Sequence, residues 1–173
     1  MKKIFFLIFL FTQFSTYGYV VNRTDSGELI KWSSSRNINL FLSTSTPDLT
    51  SSEVSSIVTN SVNQWSSRIN NTVNISASND GEVSGRNDIY FQSNSEFFSD
   101  PSIVAVTQYI VDTNTTYIQE ADIILNDSIH TFSSSSTSTK YLGNVITHEV
   151  GHLLGMGHSQ VINSSMFYEL RKG

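Results

Sequence analysis

His148, Glu149, His152, Gly155, His158 and Met166 lie close together near the end of the sequence, and their types and spacing are those of a metal site. His148 and His152 stand four apart. On a helix they share one face, one turn above the other, so two neutral imidazoles can reach one ion. Glu149, beside the first histidine, can bring a carboxylate to a water at that ion. Gly155 can adopt the left-handed backbone that ends a helix. The chain can then turn back and carry His158 to the same point. Three protein ligands leave a fourth position open, which a catalytic zinc needs and a structural zinc does not. The chain has no cysteine, which excludes a closed thiolate site. The expected metal ligands are therefore His148, His152 and His158, with Glu149 as general base. His130 stands alone before a Ser/Thr-rich stretch and reads as a solvated residue.

Something must hold these side chains in place. A helix over about Tyr141 to Leu154 would carry the first two histidines. Upstream, Arg36 to Ser43 alternates apolar and polar residues at Ile38, Leu40 and Leu42, the pattern of a half-buried strand. Thr50 and Glu53 have capping-box spacing. Val54, Ile57, Val58, Val62, Trp65 and Ile69 then form one apolar stripe of a helix, in which Trp65 is a packing residue. Val73 to Ala77 and Asp88 to Gln92 read as short strands on either side of the turn-rich stretch Asn79 to Gly85. Ile103 to Val111 and Thr116 to Leu125 read as two more strands, turned at Asn114. Thr131 to Lys140 reads as a loop. Strand, helix, several strands, helix is the order of an α+β or α/β layered domain.

The run from His148 to His158, followed by Ser159 and by Met166 eight residues after His158, resembles the metzincin zinc peptidases and among them the matrixins. The resemblance covers about Ile38 to Tyr168. It implies a zincin-like fold: a twisted, mostly parallel five-stranded sheet with one antiparallel edge strand, a backing helix and an active-site helix. It also implies one catalytic zinc ion and hydrolysis of peptide bonds in extended polypeptides. Ile103 to Thr107 would lie in the edge strand and pair with the substrate backbone. Met166 would be a hydrophobic floor and not a ligand. Tyr168 has two readings by resemblance: a wall of the specificity pocket, as in matrixins, or a residue that approaches the metal, as in astacins and serralysins.

The sequence also departs from that family. Without cysteine no cysteine-type latency switch is expected, and no folded propeptide is expected between the signal and the first strand. His130 is the one histidine upstream of the motif, so the family's second, structural zinc is not expected. Calcium around Asp122, Asn126 and Asp127 is conceivable but unsupported, because no loop has a recognisable calcium spacing. Seven residues follow Met166, so the catalytic domain is expected to be truncated at its closing helix. That shortness is the single support for a rival reading, an inactive or truncated domain that binds peptide without cutting it. A zinc storage or transport site is a weaker rival, since it would leave Glu149 unexplained.

Lys2 and Lys3 precede the apolar run Ile4 to Phe11, and the small residues Ser15, Thr16 and Gly18 follow. This is the pattern of a signal peptide over residues 1–18, with residues 19–173 as one catalytic domain. The run is short for a membrane span. The expected location is secreted or extracellular, or periplasmic in a bacterium. A formal net charge of −5 gives no electrostatic footprint for nucleic acid or anionic membrane. The expected partner is a protein or peptide substrate, and the expected state is a monomer.

Overall fold

The computed structural model describes residues 20–98 and 100–168, so the expected signal segment lies outside the described residues. A five-stranded sheet forms the centre. Its strands are β2 (Ile38–Ser43), β3 (Val73–Ser78), β4 (Asn87–Gln92), β5 (Ala105–Val111) and β6 (Ile118–Asn126), in the order β3-β2-β4-β6-β5. The pairs β2/β3, β2/β4 and β4/β6 are parallel, and β5 lies antiparallel to β6 at one edge. A short strand β1 (Val20–Val21) pairs separately with β7 (Met156–Gly157). This is the mixed sheet, with one antiparallel edge strand, that the resemblance implies.

Two helices cover one face of the sheet. The first, α1 (Ser51–Ser66), begins at the expected capping box: Glu53 N donates to Thr50 Oγ1, and Thr50 N donates to Glu53 Oε2. Val54, Val58 and Val62 on its apolar face are fully buried or nearly so. Ile69 lies beyond the end of this helix, so the stripe stops at Trp65.

The second helix, α2 (Leu142–Leu153), has no side-chain cap. Packing holds it instead: every residue except Asn144 and His152 is buried. A helix apolar on nearly all sides belongs in a core. Ser61 Oγ donates to Gly143 O at 3.1 Å and Trp65 Nε1 to Thr147 O at 2.9 Å, which fixes the register of α1 against α2.

Strand alternation divides the interior. Ile38, Leu40, Ile89, Ile123 and Leu125 face the helices in the main core. Tyr90 and Ile124 face the other way and pack with Phe98 in a smaller cluster. Each fully buried aliphatic side chain contributes about 1.5–3 kcal/mol.

Two strand starts differ from expectation. Ile103 and Val104 precede β5. Thr116 belongs to the β5–β6 turn, with φ at 58°, and β6 begins at Ile118. A β-branched residue is strained at positive φ. Here the Thr116 hydroxyl donates to Leu29 O at 2.9 Å and Thr116 N donates to Asp112 O at 2.8 Å.

Candidate metal centre

The geometry of the site begins at the last turns of α2. His148 is buried and His152 half-buried, on the same helix face. The helix stops where Gly155 takes φ of +92°. A side chain there would suffer twice, because a Cβ would also lie 2.5 Å from Ile30 O. Past this bend, β7 is held against β1, and Asn22 N donates to Gly155 O at 2.8 Å. The chain then delivers His158, which is exposed.

The three imidazoles converge. His152 Nε2 lies 3.1 Å from both His148 Nε2 and His158 Nε2. One ligand atom from each of the three histidines falls within 4.8 Å of the others. Around one tetrahedral zinc at about 2.0–2.1 Å, such nitrogens would stand roughly 3.3 Å apart, so the donor set fits that ion.

Hydrogen bonds on the far side of two rings fix the tautomers. His148 Nδ1 is 2.8 Å from Ser165 O, and His152 Nδ1 is 2.8 Å from Met156 O. A carbonyl can only accept, so each Nδ1 carries the proton and each Nε2 presents a lone pair to the common point. Burial, together with the neighbouring histidines, pushes His148 down to about 4. Burial likewise lowers His152 and His158. Neutral rings are the form that binds metal.

Met166 is buried beneath this arrangement. A Cβ on Gly151 would meet its Sδ at 2.1 Å and Trp65 Cζ2 at 3.3 Å. Gly151 thus lets the methionine and α1 approach the turn between the two helical histidines. Ser159 N donates to Met166 O at 2.6 Å, tying the His158 segment to this floor.

Glu149 is buried too, and burial lifts its carboxyl to about 7 against the lowering effect of a hydrogen bond from Thr107. Thr107 Oγ1, on β5, lies 2.7 Å from Glu149 Oε2 and 3.1 Å from Glu149 O. An open cleft of about 1010 Å³ runs past His148, Glu149, His152 and His158, with Thr107 on one wall and Tyr168 on another. Tyr168 is 60% exposed and its ring rests on Phe167 at 4.4 Å between centroids.

The structure brings together His148, Glu149, His152 and His158, as their spacing predicts. It corrects the reading of His130, which is half-buried with Nε2 3.0 Å from Ile103 O. The three residues considered for calcium have other partners. Asp122 Oδ1 accepts from Asp88 N, Asp127 Oδ1 accepts from Thr46 Oγ1, and Asn126 bonds Ile103 O and Ser128. Sequence reasoning missed Thr107 as the partner of Glu149. The two are 42 residues apart, and the packing of α2 against β5 joins them. The one available signal was a threonine in the strand expected at the cleft.

Among the described residues, no helix is long and apolar enough to cross a membrane. The family model described as Matrixin matches residues 31–172. No curated protein sequence matches the chain.

Proposed function

The chain belongs to the matrixin family of zinc metalloendopeptidases, and from that premise we propose that His148, His152 and His158 hold the catalytic zinc and that Glu149 is its general base. The observation that carries this reading is the convergence of the three Nε2 atoms, with two of the rings locked by carbonyls behind them. Zinc, when bound, supplies a Lewis acid that polarises a carbonyl and acidifies a water.

The rest is done by side chains of the chain itself. Thr107 occupies Glu149 Oε2. Oε1 then takes the proton of the attacking water as its oxygen joins the scissile carbon. The same atom returns that proton to the nitrogen as the carbon–nitrogen bond breaks. Burial suits Glu149 to both roles, because a carboxyl near 7 gains and loses a proton with little bias.

The substrates are peptides. An extended polypeptide would lie along the free edge of β5, where main-chain pairing supplies affinity and alternate side chains meet the cleft. The export pattern at residues 1–18 supports secretion of residues 19–173 as the working domain.

The test is Glu149→Ala. Purified variant is expected to keep stoichiometric zinc by elemental analysis and to lose cleavage of casein or gelatin. Cleavage at the parent rate would remove Glu149 from the mechanism. Parent protein that binds zinc and peptide without cutting would favour the peptide-binding alternative.

A further inference from the structure

One stretch of the cleft wall carries a positive charge that, among the described residues, is in no ion pair. Lys140 lines the cleft together with Ser102, Ile103 and Val104. It is half-buried, and loss of solvent holds its ammonium below the usual lysine range. Among the described residues, the ion pairs are those of Arg86 with Asp80 and Asp88. Among the described residues, none of these ion pairs includes Lys140. The titratable group that feels it is His130, behind Ile103, and its effect there is to disfavour a second positive charge. A partly desolvated ammonium is costly unless something pairs with it.

Position turns this into a statement about substrate. Thr107 marks the level of Glu149 along the edge of the cleft. The Lys140 charge acts on His130, whose Nε2 lies 3.0 Å from Ile103 O, and Ile103 is four residues before Thr107, about 13 Å at the rise of an extended chain. A peptide lying beside this edge advances at the same rise. A side chain of that peptide reaching Lys140 is therefore within about four residues of the bond being cut.

We propose that Lys140 is a specificity residue that selects a substrate Asp or Glu side chain at one fixed position within about four residues of the scissile bond. The proposal rests on the proteolytic reading above. A carboxylate is the fitting partner because peptides supply it and a charge-assisted hydrogen bond to an ammonium is short and strong. Lys140 can be changed without disturbing the loop. Its hydrogen bonds are made by its backbone: its N–H donates to Ser138 Oγ and its carbonyl accepts from Ser133 N.

The experiment is a cleavage-site profile of the parent, Lys140→Gln and Lys140→Glu proteins on a peptide library with amidated C-termini, with and without a zinc chelator. Amidation removes the chain-terminal carboxylate, so any acidic preference belongs to a side chain. The parent is expected to enrich Asp and Glu at one position on one side of the cut. For a matched pair of peptides, acidic and neutral at that position, the kcat/KM ratio should fall about tenfold in Lys140→Gln. In Lys140→Glu the enrichment should pass to Lys and Arg. The parent's preference should also weaken at high salt. Chelator-sensitive cleavage with no acidic preference, or a preference that survives in Lys140→Gln, overturns the role of Lys140 and leaves the peptidase standing. Absence of chelator-sensitive cleavage overturns both.

Discussion

Glu149 and Asp122 are both carboxyls lifted by burial, the first to about 7 and the second to about 6. Their surroundings separate them. Glu149 sits on α2, opens on the cleft beside His148 and receives a hydroxyl from Thr107. Asp122 sits on β6 and alternates with Ala121 and Ile123, which face the helices, so it belongs to the opposite face of the sheet. Its Oδ1 accepts from Asp88 N at 2.7 Å, and the nearby charges of Glu120, Asp88 and Glu82 add to its shift. A perturbed carboxyl marks chemistry only where a cleft and convergent donors meet it. Elsewhere the same shift records a local cost of packing.

The sharpest way to break this contrast is to neutralise each carboxyl isosterically. Glu149→Gln should lower kcat about 10³-fold, within the range for losing a general base. Asp122→Asn should keep the parent kcat in the same peptide assay. Equal losses would mean that the two regions are not functionally distinct.

The next effect is structural and lies on the metal side. Gly155→Ala must place a side chain at φ +92° and within 2.5 Å of Ile30 O. It should cost about 2 kcal/mol, read as a lower denaturation midpoint, and should weaken zinc retention in competition with a chelator. Unchanged zinc affinity would show that the bend does not set His158.

A smaller effect tests the hydroxyl that distinguishes Glu149 from Asp122. Thr107→Val removes the donor at nearly constant shape and should lower kcat about tenfold with little change in KM. Thr107→Ser should restore most of it. An equal loss in both variants would point to packing of the strand.

The smallest effect belongs to Asp122. Its folded-state pKa of about 6 lies above the ordinary 3.8, so the folded protein binds this proton more tightly than the unfolded chain. The stability from this group is present in full below the unfolded value and is lost as pH rises through the folded one. Asp122→Asn should therefore gain thermal stability relative to the parent as pH goes from 4 to 7. A gain that does not change with pH would show that the shift has another source.

What the sequence made legible follows range. The His148–His152 pair and the capping box at Thr50 each lie within about one helical turn, where spacing translates directly into geometry, and Gly155 marked the bend that brings in His158. The alternation at Ile38, Leu40 and Leu42 likewise identified a strand whose residues pack into the core. The Thr107–Glu149 contact depends on the placement of β5 against α2, and no periodicity in either segment encodes it. The β5–β6 turn shows the same limit. Thr116 has the residue type of a strand, yet its positive φ is held by a bond to Leu29, far away in sequence. His130 was misread for this reason too, since its partner Ile103 comes from another part of the chain.

The bond from the Asn22 side chain to Met156 O spans 134 residues, and beside it β1 and β7 bring the two extremes of the described chain together. Contacts of such separation are slow to form, because a large loop must close before any of them is rewarded. The brace behind the third histidine thus carries a large closure entropy, since it joins segments more than a hundred residues apart. The position of the third histidine is therefore tied to the closure of the fold as a whole and not to α2 alone.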